Sequence, residues 1–167
     1  MTSREWVLLG IVATFAAIIV WLVRRRRPTA QPGARRILVP FVGRLDDRVL
    51  QAAIRIARAE SAVLVPASLV VVPWNLPEES PLRAQVEAAM PLLEAVEHAA
   101  LRAGVPVDAR IEKGRTRTHA LRRLWEVEHF DRVVAPAEGF TPKELTWILA
   151  NAPAETVILR PLEAAAA

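Results

Sequence analysis

RILVPFV at residues 36–42, DDRVLQAAIRIARAE at 46–60 and ASLVVV at 67–72 follow one another in the chain, and this succession sets the fold. The first and third segments are short, continuous apolar runs rich in β-branched residues, the pattern of strands covered on both faces. Between them Val49, Leu50, Ala53, Ile54 and Ala57 recur at helical spacing, and Asp46 stands where an N-cap belongs. Strand, helix and strand in this order make a parallel crossover. Pro66 lies just before the second strand, and proline cannot donate to a central ladder. The strand is therefore expected to start after Pro66, or to carry a bulge there.

Downstream the alternation continues. NLPEES at 75–80 reads as a loop. Leu82 to Ala103 reads as a long helix with a kink or break at Pro91, ended by Gly104. Val107 to Glu112 is the third strand, and Thr118 to Glu128 a helix with Leu121, Leu124 and Trp125 inward. Arg132 to Ala135 is the fourth strand. Pro142 to Asn151 is a short helix capped by Thr141 with proline in its first turn, and Thr156 to Arg160 is the fifth strand. Five strands alternating with four helices imply an α/β fold, a parallel sheet with helices on both faces.

Upstream lies a different kind of sequence. Trp6 to Val23 reads WVLLGIVATFAAIIVWLV without a charge. As a helix it covers roughly 27 Å, close to the hydrocarbon thickness of a bilayer. Trp6 and Trp21 sit near its ends, where indoles favour the headgroup level. Arg24, Arg25, Arg26 and Arg27 follow directly, which argues against a cleaved signal peptide and places the C-terminal side in the cytoplasm. The expected organisation is an anchor over 1–27, a Pro/Gly linker over 28–34, a domain over 35–162 and a frayed tail over 163–167. The protein is expected in the inner (plasma) membrane, single-pass, with its N-terminus outside and the domain cytoplasmic.

The bulk numbers agree with one small domain plus an anchor: 167 residues, 53% hydrophobic, net charge +4. The four consecutive arginines account for that excess, so nucleic-acid binding is not indicated. The absence of cysteine excludes disulfides, thiolate metal sites and a cysteine nucleophile. His98, His119 and His129 show no metal-ligand spacing, and Ser61, Ser68 and Ser80 have no nucleophile-elbow context.

ILVPFVG at 37–43, AGVPVDARIEKG at 103–114, FDRVVAP at 130–136 and NAPAETVILRP at 151–161 together resemble the universal stress protein family in order and spacing. The resemblance covers residues 35 to 162. It implies a flavodoxin-like sheet of order 3-2-1-4-5, with a ligand site at the switch point between the first and fourth strands. Many members bind ATP there, with an aspartate after the first strand and a glycine-rich stretch after the fourth. This chain departs at both places. Val42 stands at the aspartate position, followed by Gly43 and Arg44, and PAEGFTPKELTWILANAP after the fourth strand contains only Gly139. One glycine does not furnish the converging N–H groups of a phosphate cradle, so no ATP cofactor is expected. The resemblance also implies dimers formed through the last strand, which would make Ile158 part of a pairing edge.

The remaining anion-site candidate is Gly114-Arg115-Thr116-Arg117-Thr118 at a helix start, weighed against a capped helix with solvated arginines. Trp74, beside a proline-rich loop, suits an interface as well as it suits a core. The leading expectation is a non-catalytic, membrane-tethered interaction module. Its partners would be the lipid bilayer and an integral membrane protein complex, or a second copy of itself. The alternative is a sensor of nucleotides or small anions, using a remnant cleft of Val42, Gly43, Arg44, Gly114, Arg115 and Gly139.

Overall fold

A computed structural model describes residues 33–160. They form β1 (Arg36–Phe41), α1 (Asp47–Ala59), β2 (Val63–Val71), α2 (Arg83–Arg102), β3 (Arg110–Gly114), α3 (Arg117–Val127), β4 (Arg132–Pro136), α4 (Pro142–Asn151) and β5 (Glu155–Leu159). The strands are all parallel and lie in the order β3-β2-β1-β4-β5. The expected membrane span and its flank, Trp6 to Arg27, and the tail over 163–167 lie outside the described residues. Among the described residues no helix is long and apolar enough to cross a membrane.

Side chains of a strand alternate between faces, which explains the continuous apolar runs. Ile37, Val39 and Leu64 pack with Ala53 and Ile54 of α1 and with Val96 and Ala100 of α2. Leu38, Val65 and Leu69 point the other way, against Leu121 and Leu124 of α3 and Ile148 of α4. Each of the valines, leucines and isoleucines among them, taken fully out of water, contributes about 1.5–3 kcal/mol.

Two prolines shape the sheet. β2 starts at Val63 and runs through Pro66 in unbroken register with β1, where Pro66 faces Val39. This corrects the expected start after Pro66. Leu64 donates to Pro106 and accepts from Asp108, so even-numbered residues of β2 turn their peptide groups toward β3. The missing N–H of Pro66 therefore falls between the isolated Leu64–Val107 bridge and the ladder that begins at Ala67–Arg110. The same gap explains why β3 spans Arg110–Gly114, not Val107 to Glu112. In β1 the Arg36 carbonyl accepts from Asp131, so even-numbered residues face β4. The β1–β4 pairing ends at Leu38–Val133, where the next donor would be residue 40, a proline.

Helix α2 runs without a break through Pro91. Its start is unusual: Leu82 caps it in the left-handed region, at φ 42° and ψ 49°, while its side chain is buried with Val70 and Val72. Burying leucine here offsets a backbone cost of about 1–2 kcal/mol. Helix α4 carries the expected Thr141 cap and extends it to a capping box, with Thr141 and Glu144 satisfying each other's N–H groups.

At the amino edge of the sheet the charges are paired off. Arg36 Nη2 meets Asp108 at 3.0 Å and Glu128 at 2.6 Å. Arg110 meets Glu128 at 2.8 Å and the Asp108 carboxylate at 2.7 Å, which closes a ring of four. Burial works against the Arg110 charge, but Glu128 and Asp108 outweigh it and raise its pKa. Arg132 likewise bridges Glu60 and Glu155.

Candidate functional site

At the carboxyl edge a cavity of about 370 Å³ opens between β1, β2 and α2. Its origin lies in the composition of α2. The later turns of that helix bury Leu93, Val96 and Ala100 against the sheet. The earlier turns present Gln85, Ala88, Ala89 and Leu92 to the cavity. Two alanines leave room that larger side chains would fill. Phe41 of β1 and Ser68 and Val70 of β2 complete the wall, and Val42, Gly43 and Arg117 form the rim.

The turn after β1 is tight: the N–H of Arg44 donates to the carbonyl of Val42 at 2.7 Å, across Gly43. Arg44 itself is exposed at that turn. Gly139, in the loop between β4 and α4, has φ +83°, and a Cβ there would lie 3.3 Å from the Val42 carbonyl oxygen. The loop therefore lies directly on the turn. Arg117 ties it down: Nη1 donates to the Gly139 carbonyl at 2.7 Å and to Glu144 Oε2 at 3.3 Å. Glu144 Oε2 also accepts from the N–H and the hydroxyl of Thr141, at 2.7 and 2.9 Å. Burial would raise the Glu144 pKa, but the Thr141 bonds and the Arg117 charge outweigh it and hold the carboxyl below its usual range.

The cleft anticipated from sequence is thus only partly assembled. Val42 and Gly43 line the cavity, and Gly139 lies against Val42 without lining the cavity. Gly114 does not line it. There β3 passes against the start of α3, and an added Cβ would lie 2.6 Å from the Ala120 nitrogen. Arg115 turns away from the cavity and donates to the carbonyls of Pro73 and Leu76 at 2.6 and 2.8 Å, with its guanidinium 5.2 Å from the Trp74 ring centre. The α3 start is capped internally, with the His119 N–H donating to Thr116 Oγ1 at 3.1 Å. Neither arginine of this run is simply solvated, since both hold loop carbonyls.

Trp74 is 80% exposed. Trp147 is half-buried, stacked on Trp125 at 5.3 Å and covered by Arg122 at 5.6 Å. Ile158 is half-buried on β5, an edge strand. Sequence reasoning included Arg117 in a candidate run but did not single it out, and it missed Phe41, Ser68 and the α2 alanines. The small residues on the inner face of α2 were the available signal for the cavity. Among the described residues no group of three His, Asp or Glu side chains could hold a metal.

The geometry can be set beside known proteins. No family model matches the chain, and no curated protein matches its sequence. Solved structures do match. A universal stress protein family member from Burkholderia pseudomallei shares 21% identity at a TM-score of 0.60, over 77% of this chain and 98% of that one. UspA from Lactobacillus plantarum shares 17% at 0.63, over 78% of this chain and 100% of that one. The universal stress protein from Archaeoglobus fulgidus, in complex with dAMP, shares 13% at 0.58, over 74% and 96%. The described domain has the fold of these universal stress proteins, a five-stranded parallel sheet of order 3-2-1-4-5.

Proposed function

We propose that the chain is a non-catalytic ligand sensor of the universal stress protein type, held at the cytoplasmic face of a membrane by residues 1–27. Its ligand is a nucleoside or nucleoside monophosphate. The observation that carries this reading is the cavity at the carboxyl edge of β1 and β2, where open α/β sheets take their ligands. A solved neighbour of the same fold is a complex with dAMP. The apolar wall of Phe41, Val70 and Leu92 suits the face of a base, and Ser68 and Gln85 offer hydrogen bonds to its edge. Among the described residues the lining contains no carboxylate and no imidazole, the groups best suited to moving a proton at neutral pH. A triphosphate finds less room, because Gly139 rests on Val42 and Glu138 lies beside it.

Calorimetric titration of the full-length chain with adenosine, AMP and ATP tests the reading. Adenosine and AMP should bind, ATP more weakly, and Ala89→Trp should abolish all binding by filling the cavity. Silence across the three ligands, or binding that survives Ala89→Trp, would overturn it.

Trp74 favours a second reading, an interaction module that docks on an integral membrane protein complex. An indole 80% exposed and held beneath Arg115 is a hot-spot arrangement. Gentle extraction and mass spectrometry should then recover one complex with the native chain and lose it with Trp74→Ala. Recovery of the chain alone, or paired with itself through β5 and Ile158, would remove that partner.

A further inference from the structure

Among the described residues Arg117 is the one charged side chain that lines the cavity. It reaches across from the start of α3 to the β4–α4 loop, and that loop lies on the turn at Val42. Its hydrogen bonds to Gly139 and Glu144 both leave from Nη1. Nη2 and Nε have no hydrogen-bond partner among the described residues. A guanidinium offers five donors in a planar fork suited to phosphate oxygens. Its partner Glu144 is itself engaged, because the same oxygen closes the capping box of α4.

From this geometry we infer that Arg117 reads the charge of the cavity's ligand and latches the β4–α4 loop in its absence. The ligand class is a flat apolar body bearing one phosphate ester. The inference rests on the sensor reading above and adds the residue that selects and reports. A phosphate in the cavity draws the guanidinium toward it and competes with Gly139 and Glu144 for its donors. The loop over 137–141 then loses the contact that presses it onto Val42. A neutral nucleoside fills the apolar part of the cavity and leaves the latch closed. Occupancy by an anion is thereby converted into release of a surface loop, which a partner can detect.

The full-length chain should be titrated with AMP and adenosine, with amide hydrogen exchange followed over residues 137–144. AMP should bind about tenfold more tightly than adenosine, the worth of one charge-assisted contact. AMP, but not adenosine, should speed exchange over 137–141. In Arg117→Gln the AMP advantage over adenosine should vanish, and the loop should exchange fast without ligand. Glu144→Gln removes a competitor for the guanidinium, so it should tighten AMP binding and leave adenosine alone. A structural defect would instead weaken both ligands. Equal affinity for AMP and adenosine in the native chain would overturn the latch and leave the cavity reading standing. Failure of both ligands to bind would overturn the cavity reading, and the latch with it.

Discussion

The two edges of the sheet hold their arginines differently. At the amino edge Arg36, Arg110 and Arg132 face carboxylates: Asp108, Glu128, Glu60 and Glu155. At the carboxyl edge Arg115 faces the carbonyls of Pro73 and Leu76, and Arg117 faces the carbonyl of Gly139 with only one oxygen of Glu144 besides. A carboxylate neutralises the guanidinium it binds. A carbonyl fixes it in place and leaves its charge in force. One edge is therefore electrostatically closed; at the other Arg115 keeps its charge in force away from the cavity, and Arg117, beside the cavity, shares one nitrogen between the Gly139 carbonyl and Glu144. The comparison teaches that the type of partner, more than the number of arginines, separates a fastening from a binding site.

The largest effect tests whether the whole carboxyl edge belongs to function. Gly114 sits there, yet its environment is one of packing. Gly114→Ala forces a methyl group to within 2.6 Å of the Ala120 backbone nitrogen, which cannot yield without moving α3. A loss of about 3 kcal/mol is expected, the cost of over-packing a tight contact, read by urea denaturation. A neutral result would return Gly114 to the candidate cleft. Next comes Glu128→Gln, which removes the acid shared by Arg36 and Arg110. It should cost about 2 kcal/mol, less than a wholly buried pair because these groups keep some contact with water. Ligand affinity should not change. If affinity fell, the two edges would be coupled and the contrast between them would fail.

What the sequence disclosed follows the same contrast. Strand and helix order was legible because apolar period and cap residues are local signals: Asp46, Thr141 and the stripe from Val49 to Ala57 stand where they were expected. The unbroken passage of β2 through Pro66 was not legible, since it depends on which neighbour the missing N–H faces. The tight turn at Val42 and Gly43 could be located from the end of β1, but nothing local says that Gly139 closes onto it from 97 positions away. The destination of Arg115 and Arg117 was equally hidden. Each reaches a loop remote in sequence, and a run of alternating arginine and threonine looks the same whether its charges are solvated or bonded.

The smallest effect sharpens where the closed network ends. Glu112 lies on β3 opposite Leu69, between the two edges. Burial raises its pKa first, and the Glu128 charge adds to the rise, with Arg123 and Arg110 pulling the other way. The folded state thus holds this proton more tightly than the unfolded chain does. Ionised Glu112 therefore weakens the fold at neutral pH, and that penalty fades as pH falls through the raised pKa toward the ordinary carboxylate value. Glu112→Gln should stabilise the domain modestly at neutral pH and give no gain near pH 4, roughly the unfolded value. Glu144 has the opposite sign: its lowered pKa supports the fold above the ordinary value, and that support is lost as pH falls through the folded one. Denaturation of the native chain and Glu112→Gln at the two pH values separates these contributions. Part of the Glu112 penalty comes from Glu128, so the gain should shrink when Glu128→Gln is already present. A gain unchanged by that second substitution would assign the penalty to burial alone and confine the amino-edge network to its own four residues.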